Sequence, residues 1–464
     1  MALLRTAKLA GQWYERDPRR LAAQIDEWTS RVEPSAGAPP VFLLVPHAGH
    51  MWSGAVAGRG FGALKGADLS RIVLLAPSHY VAFPGMALPP REMELLETPI
   101  GDLEVDQQWC HQLEAGSELF LRRRDAVDME HALEVELPFL ARLFPRVPVV
   151  PLVCGQMDRA SAKEAGLALG DLMEDGTVLV VSSDLTHYGA DYGFEPFGPG
   201  SPSVWRKVEA MDRGGLERIL AGDAEGLFDY IGETGWTACG ALPASVALWA
   251  LDVDVEGEIL DYTSSSAISG DDLRSVSYGA VLLRSEQPLV PKALRVALRQ
   301  LAADAIREAV GLSGSPAVRP DHPGLDLRRG AFVTLTKGGE LRGCIGHPTS
   351  DLPLGEVIPK VARDAATADP RFRPLTAEEL PDIALEISVL SPPRRVASLE
   401  EVRVPHHGLL IRGPSGAGLL LPQVAREYGL DRDAFFAMTL RKAGLAPDTP
   451  PESVEIYVFA ATVF

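Results

Sequence analysis

The stretch Val41-Phe-Leu-Leu-Val-Pro-His-Ala-Gly-His-Met-Trp-Ser-Gly54 decides the fold class of this chain. Its first five residues are apolar and are bounded by Pro46, a pattern typical of a strand that is buried on both faces. His47 follows directly after this proline. Open α/β folds bind ligands at the carboxyl ends of their strands, so the segment predicts an imidazole at the edge of such a site.

Two later segments repeat this pattern. Arg71-Ile-Val-Leu-Leu-Ala-Pro-Ser-His-Tyr80 ends with His79, and Thr177-Val-Leu-Val-Val-Ser-Ser-Asp-Leu-Thr-His-Tyr-Gly189 ends with Asp184 and His187. Strands of one parallel sheet end at the same edge, so the three polar ends are expected to converge. The sequence therefore predicts one site built from three strand ends.

Strands alternate with helices over about the first 285 residues, which indicates an α/β sheet covered by helices on both faces. One of these helices is expected over 130–144, where Pro138 would kink or restart it. A polar, proline-bearing stretch at 285–291 then marks a change of pattern. We predict two domains, residues 1–287 and a smaller α+β domain at 288–464.

The composition excludes several classes of protein. A chain of 464 residues with 46% hydrophobic residues can bury more than one core. The net charge of −19 argues against a general nucleic-acid or anionic-membrane binder. The four cysteines are widely spaced, as expected in a reducing cytoplasm, and no apolar stretch is long enough to span a membrane. We expect a cytoplasmic protein with no nucleic-acid or membrane partner.

The strand-end residues are types that bind first-row transition metals. A single histidine at a strand end is more often a hydrogen-bonded structural residue, but three strands ending in the same way favour a metal site. Cys239, in Thr-Ala-Cys-Gly before an apolar helix, is a further candidate. A thiol near a helix N-terminus is expected to have a lowered pKa and to act as a metal ligand or a nucleophile. The alternative for Cys239 is a small buried hydrophobic residue.

The motifs of this region together resemble the Memo family over about residues 5–285. They are Gly11-Gln-Trp-Tyr, Pro46-His-Ala-Gly-His, Pro77-Ser-His, Glu130-His-Ala-Leu-Glu, Ser182-Ser-Asp-Leu-Thr-His-Tyr-Gly and Cys239-Gly. That family is similar to the LigB-type extradiol dioxygenases, which have an α/β sheet and a mononuclear non-haem iron. The resemblance implies a LigB-like central sheet in the first domain.

The resemblance also implies roles for individual residues. His47, His79 and Cys239 are expected to bind the metal, with Asp184 and His187 beside them as catalytic residues. The dioxygenases use a carboxylate as third ligand, so a cysteine here shifts the expectation away from ring cleavage. Iron(II) is the expected metal, with copper and zinc as alternatives.

His131 belongs to the same motif, and its residues permit two interpretations. His131 moves protons in the cavity, oriented by Glu130 or Glu134, or the pair simply opens a helix whose first turn favours acidic residues. We expect the catalytic role for His131.

The second domain resembles the AMMECR family over about residues 292–464. The resemblance is carried chiefly by Leu341-Arg-Gly-Cys-Ile-Gly346, supported by Asp369-Pro-Arg-Phe and Ile387-Ser-Val-Leu-Ser. Arg342 can hold an anion, and Cys344 can be a thiolate made reactive by Arg342, which makes the pair a candidate second site. The alternative is a glycine-rich hairpin with a buried Cys344.

The two families occur together, with a radical SAM protein, in the AmmeMemoRadiSam system. The resemblance therefore implies a metal-dependent redox or lyase enzyme that acts on a small oxygenated organic molecule, with a radical SAM protein as partner. A non-catalytic binding or adaptor protein on an enzyme-derived fold is the alternative. A purely structural metal is a third, weaker hypothesis.

Overall fold

The computed structural model describes residues 3–32, 38–199, 201–271, 273–312, 320, 322–414 and 416–464. The chain divides into two compact units, Met1–Ser285 and Glu286–Phe464; the sequence analysis set this division between residues 287 and 288. Both units combine helices with sheets, which confirms the predicted fold class. Among the described residues no helix has the length and apolar character needed to cross a bilayer.

The first unit is built around a nine-stranded sheet, with a separate small sheet of three strands, β1, β5 and β6. Its strands are β1 (Leu3–Arg5), β2 (Pro40–Val45), β3 (Arg71–Pro77), β4 (Met86–Leu88), β5 (Met93–Leu96), β6 (Leu103–Glu104), β7 (Phe120–Arg122), β8 (Val149–Cys154), β9 (Thr177–Ser182), β10 (His187–Tyr188), β11 (Glu256–Ser264) and β12 (Ser275–Arg284). Its helices are α1 (Pro18–Thr29), α2 (His50–Gly62), α3 (Gln107–Gly116), α4 (Arg124–Met129), α5 (His131–Glu134), α6 (Leu137–Leu143), α7 (Arg159–Gly170), α8 (Pro202–Leu220), α9 (Ala224–Thr234), α10 (Ala241–Ala250) and α11 (Ser265–Ser269).

Four parallel strands form the centre of the large sheet, in the order β2-β9-β3-β8. All four are buried along nearly their whole length, which explains why the sequence shows continuous apolar runs rather than an alternating pattern. The strand β12 pairs antiparallel with β2, and β10 and β11 pair antiparallel with β12 in turn. The order places the ends of β2, β9 and β3 next to one another.

The predicted helix over 130–144 is two short helices, α5 and α6. Pro138 lies in the first turn of α6, where its missing amide hydrogen costs nothing. Glu130 caps α5, because its side chain accepts a hydrogen bond from the Ala132 amide. The break makes His131 the first residue of a helix at the sheet edge.

A buried ion pair fixes α5 to the N-terminal strand. Arg5 is 1% exposed and donates to Glu134 at 3.0 Å and to the Glu130 carbonyl at 3.0 Å. Glu134 also accepts from the Leu9 amide and the Tyr14 hydroxyl. Each buried polar atom of this ion pair has a hydrogen-bond partner, so none is desolvated without compensation. The pair therefore anchors the segment that carries Glu130 and His131.

The second unit contains two four-stranded sheets, with strand orders β14-β13-β15-β20 and β16-β19-β17-β18. The strands are β13 (Ala331–Lys337), β14 (Glu340–His347), β15 (Ile383–Leu390), β16 (Arg394–Val396), β17 (Gly408–Gly413), β18 (Gly416–Leu420), β19 (Glu455–Phe459) and β20 (Ala461–Val463). The helices are α12 (Lys292–Ala309), α13 (Leu354–Thr367), α14 (Pro422–Tyr428) and α15 (Arg432–Lys442). The first sheet packs one face on α12 and α13 around a core of aliphatic residues.

Candidate metal centre

The ends of three adjacent parallel strands bring together the residues that the sequence analysis selected. His47 follows β2, His79 follows β3, and Asp184 follows β9, which lies between them. His47 and Asp184 are buried, and His79 is partly open. The predicted convergence of the three segments is what the parallel register produces.

The third histidine of the group is His131. One ring nitrogen from each of His47, His79 and His131 lies within 4.8 Å of the other two, a spacing that can hold one metal ion. The ring centroids of His79 and His131 are 4.3 Å apart. The sequence analysis assigned His131 to proton transfer, whereas the structure places it among the side chains that can bind the metal.

Glu130 orients His79. Its carboxylate accepts from the His79 backbone amide and from the ring Nδ1, both at 2.8 Å. Burial raises the pKa of Glu130, but the hydrogen bonds from His79 and the Ala132 amide outweigh it, and the net pKa is lowered. The carboxylate is therefore ionised at neutral pH and holds the proton of His79 on Nδ1. This arrangement leaves Nε2 as the free ligand atom.

Ser182 orients His47. Its hydroxyl oxygen lies 2.9 Å from His47 Nδ1, 2.7 Å from the Ala132 carbonyl and 3.0 Å from Glu136 Oε1. The hydroxyl has one hydrogen and the carbonyl can only accept, so Ser182 donates to Ala132 and accepts from the other two. His47 then carries its proton on Nδ1, and Nε2 carries no hydrogen and can act as an acceptor or a ligand atom.

This assignment requires Glu136 to be a neutral carboxylic acid. Glu136 is 0% exposed, and its Oε2 has no hydrogen-bond partner among the described residues. Burial raises its pKa well above the ordinary value, and the nearby Asp184 charge acts in the same direction. The neutral acid donates its proton to Ser182, which completes the chain Glu136–Ser182–His47.

Two histidines of the group are unprotonated at neutral pH. Burial, together with the charges of His79 and His131, lowers the pKa of His47 well below its usual value. Burial, followed by the charge of His79, lowers the pKa of His131 to about 4. Neutral imidazoles are the form that binds a metal, so no proton has to leave these two rings.

Cys239 is next to this group. Its Sγ lies 3.0 Å from His47 Nε2 and 3.5 Å from the Asp184 carbonyl oxygen. Burial raises the thiol pKa well above the ordinary value, and the Asp184 charge adds to the effect. The expected lowering by the helix N-terminus is therefore wrong, because desolvation outweighs it. Cys239 is a thiol that becomes a thiolate only when a cation binds beside it.

Asp184 and His187 lie beside the histidine group. Asp184 Oδ1 accepts from the amides of His47 and Ala48, while burial raises its pKa to about 7. His187 Nδ1 lies 3.0 Å from the Leu185 carbonyl, so it donates there and leaves Nε2 as an acceptor. Burial lowers the pKa of His187. Asp184 can therefore exchange a proton near neutral pH, whereas the lowered pKa of His187 favours its neutral imidazole.

A cavity of about 760 Å3 opens over the group. His47, His79, His131, Asp184 and His187 all line it, as do six aromatic residues: Trp13, Tyr14, Trp28, Trp52, Tyr192 and Tyr278. Glu15 and Asp184 are its acidic residues, and no lysine or arginine is among the lining residues that the structure describes. Such a cavity suits a small neutral molecule with apolar surface rather than an anion.

Arg342 and Cys344, the candidate pair of the second unit, form hydrogen bonds with different partners. Arg342 is held in a two-point contact with Glu379, at 3.1 and 3.0 Å, and donates to the Arg373 carbonyl. Cys344 instead contacts Thr334, Asp369 and Arg371. Arg342 therefore does not activate Cys344, and its guanidinium is engaged by Glu379 rather than open to an anion.

The profile of Memo-like proteins matches residues 5–282, and the AMMECR1 profile matches residues 299–464. The memo-1 homologue of Caenorhabditis elegans is 30% identical over 290 residues, covering 60% of this chain and 82% of the relative. A protein of Methanosarcina mazei is 43% identical over 164 residues, covering 33% of this chain and 82% of the relative. A Pyrococcus horikoshii protein of known crystal structure is 38% identical, with a TM-score of 0.34, over 36% of this chain and 88% of its own.

The fold and the site thus define an α/β protein with a histidine group at the carboxyl edge of its sheet that can hold a metal ion. The chain belongs to the Memo-like family and carries an AMMECR1 domain after it.

Proposed function

We propose that the first unit is a mononuclear metal-dependent enzyme that performs redox or lyase chemistry on a small oxygenated organic molecule. The observation that carries this proposal is the group His47, His79 and His131, with ring nitrogens within 4.8 Å of one another. In His47 and His79 a hydrogen bond occupies Nδ1, which leaves Nε2 as the ligand atom.

The donor atoms fit a transition metal. Neutral imidazoles held by hydrogen-bonding partners, and a thiol 3.0 Å from one of them, suit iron, copper or zinc. We propose iron(II) as the metal in the cell, with His47, His79 and His131 as ligands and Cys239 as a further one. When bound, such a metal polarises an oxygen atom of the substrate or takes part in electron transfer.

The residues beside the metal ligands supply the proton chemistry. His187 presents an unprotonated Nε2 to the cavity and acts as the general base. Asp184, with a pKa of about 7 and one oxygen held by two amides, offers its other oxygen as a proton donor or acceptor. The aromatic lining offers apolar contacts to an organic substrate, and a described lining without lysine or arginine disfavours anionic substrates.

The presence of both families in one chain supports a joint role for the two units. We propose that they act in the cytoplasm within the AmmeMemoRadiSam system, together with a radical SAM protein, on successive steps or on a shared substrate. Co-purification of a radical SAM protein with the full chain tests this part independently of the metal.

Metal analysis of protein purified anaerobically, without chelator or a nickel column, tests the enzyme proposal. One equivalent of iron is expected in the native chain and none in His47→Ala. His111→Ala is the matched control, because His111 is an exposed histidine outside the group. A native chain that binds no transition metal, yet captures a partner protein through the same cavity, would overturn the proposal in favour of an adaptor.

A further inference from the structure

Asp212 is a buried carboxylate that the proposed chemistry leaves without a role. It lies in α8, is 0% exposed, and does not occur among the described residues that line the cavity. Its Oδ1 accepts three hydrogen bonds, and its Oδ2 accepts one from the Tyr262 hydroxyl at 2.7 Å. A carboxylate is costly to bury unless donors surround it, so the source of these donors shows what Asp212 holds.

Two of the donors to Oδ1 belong to Thr186, the residue before His187. The Thr186 amide lies 3.1 Å from Oδ1, and the Thr186 hydroxyl lies 2.6 Å from it. The Thr186 carbonyl in turn accepts from the Ser277 amide of β12 at 3.0 Å. The backbone just before His187 is therefore fixed through the amide, the side chain and the carbonyl of one residue.

The third donor is the indole of Trp236, three residues before Cys239. Its Nε1 donates to Oδ1 at 2.8 Å, and Trp236 is 3% exposed. The ring packs against the backbone of α8, since a Cβ on Gly215 would lie 2.5 Å from it. Gly215 thus lets the indole come close to the helix that carries Asp212. The segment that leads to Cys239 is attached to α8 at this point.

The segments that carry His187 and Cys239 also bind each other. The His187 amide donates to the Thr237 hydroxyl at 3.0 Å. The Cys239 amide donates to the Asp184 carbonyl at 3.2 Å. One segment carries His187 into the cavity lining, and the other places Cys239 Sγ 3.0 Å from His47 Nε2. A single carboxylate oxygen therefore receives donors from both of the segments that bring these groups to the candidate metal centre.

We propose that Asp212 is a positioning residue of the candidate metal centre, which keeps the Cys239 thiol beside His47 and the His187 ring at the cavity. It acts through the two donor residues and touches neither the metal ion nor the substrate. This role rests on the proposed function for the tasks of Cys239 and His187, but none of its tests requires turnover.

The alkylation rate of Cys239 in the metal-free full chain tests the first half of the proposal. Iodoacetamide at neutral pH, read by mass spectrometry of the Cys239 peptide, reports how well the thiol is held in the interior, where burial raises its pKa. Trp236→Phe removes the indole donor, so Cys239 should react severalfold faster than in the native chain. Trp205→Phe is the matched control, because Trp205 is a half-buried indole of α8 whose Nε1 has no hydrogen-bond partner among the described residues.

Hydrogen exchange tests the second half. Thr186→Val removes the hydroxyl donor, so exchange in the segment 183–189 should become faster, with a smaller change in the alkylation of Cys239. Trp236→Phe should show the reverse order of effects. Equal changes in both segments in both variants would mean that Asp212 stabilises the fold in general, and would contradict the positioning role.

Substitutions of Asp212 itself give the combined effect. Asp212→Leu removes every acceptor, so it should speed the alkylation of Cys239 and lower zinc affinity by about tenfold, as changes to residues that orient a ligand do. Asp212→Asn should restore most of both, because its amide oxygen can accept the three bonds and its NH2 group can donate to the Tyr262 hydroxyl. Glu217→Gln, at an exposed position of α8, is the control.

A Cys239 that reacts at the native rate in folded Asp212→Leu and in Trp236→Phe would overturn the proposal. If thermal melts show that Asp212→Leu does not fold, Trp236→Phe and Thr186→Val decide the matter. A native chain that binds no zinc but shows the expected alkylation rates would support the positioning role and would count against the proposed function alone.

Discussion

The histidine group of the first unit differs from the surroundings of Cys344 in the second unit in how its polar atoms are placed. Around His47 and His131, burial keeps the side chains neutral, and a hydrogen bond between Nδ1 and Ser182 holds the His47 ring. Around Cys344, the charged groups Asp369 and Arg371 remain ionised, and Arg371 is partly exposed. The histidine group is neutral and gains positive charge only when a cation binds, whereas the surroundings of Cys344 already include the positive charge of Arg371.

This difference determines what each site can bind. A buried set of neutral donors gains most from a metal ion, because the ion supplies the charge that its donor atoms lack. A half-open set with a partly exposed guanidinium gains most from a substrate that develops negative charge. Four experiments test this contrast, beginning with the largest expected effect.

Removing one imidazole should have the largest effect. His79→Ala takes away a ligand atom and leaves Glu130 buried without its main partner, so we expect metal affinity to fall by more than about 100-fold. Cys344→Ala should leave it unchanged. Titration of the apo protein with zinc, followed by calorimetry, measures both. Equal zinc affinities for His79→Ala and Cys344→Ala would contradict the distinction between the two sites.

Glu130→Gln tests whether the orientation of His79 matters as well as its presence. The amide keeps the shape but loses the charge that holds the proton on Nδ1, and changes to a residue that orients a ligand lower metal affinity by about 10–100-fold. The same titration gives the value. Glu92→Gln, at an exposed position outside the group, serves as the control. An unchanged affinity in Glu130→Gln would mean that His79 needs no orientation.

Proton release on metal binding tests Cys239. The raised pKa of its thiol means that Cys239 holds its proton at pH 7 in the apo protein, and a metal-bound thiolate must lose it. The histidines His47 and His131 have lowered pKa values and release none. The native chain is therefore expected to release about one proton per metal more than Cys239→Ser does.

Calorimetry in buffers of different ionisation enthalpy counts these protons. Because the folded-state pKa of the thiol is raised, the affinity of the native chain should rise with pH across the neutral range, by about tenfold per unit. A pH-independent affinity in the native chain would show that Cys239 stays a thiol and lies outside the ligand set.

The smallest effect is expected at Arg342. Its contact with Glu379 is partly exposed, so Arg342→Gln should lower the free energy of unfolding by only about 1 kcal/mol. The alkylation rate of Cys344 should not change. Denaturant melts measure the free energy of unfolding, and mass spectrometry of the Cys344 peptide after treatment with iodoacetamide measures the alkylation rate. Slower alkylation of Cys344 in Arg342→Gln would show that Arg342 activates it.

The sequence alone was sufficient to predict which strand ends form the first site. Three apolar runs ending in His47, His79 and Asp184 are local patterns, and a parallel sheet brings such ends together without further information. The sequence predicts proton transfer for His131 rather than a place in the histidine group, because no local pattern indicates its position. Its position depends on the break between α5 and α6 and on the anchoring of Glu134 by Arg5, 129 residues away.

The remaining differences come from burial and from distant partners. The pKa of Cys239 was expected to be lowered because a helix start is visible in sequence, while the desolvation that raises it is not. Arg342 and Cys344 lie close together in the motif, but the Arg342 guanidinium is hydrogen-bonded to Glu379. The cation near Cys344 is Arg371, which no local pattern connects to it.

The attachment of each site residue to the end of a different strand has an evolutionary consequence. His47, His79 and Asp184 lie just beyond β2, β3 and β9, outside the paired and packed part of the sheet. A single base change that replaces one of them alters the donor set without disturbing the hydrogen-bond ladder. A lineage with this scaffold can therefore change what the strand ends bind while inheriting the same fold.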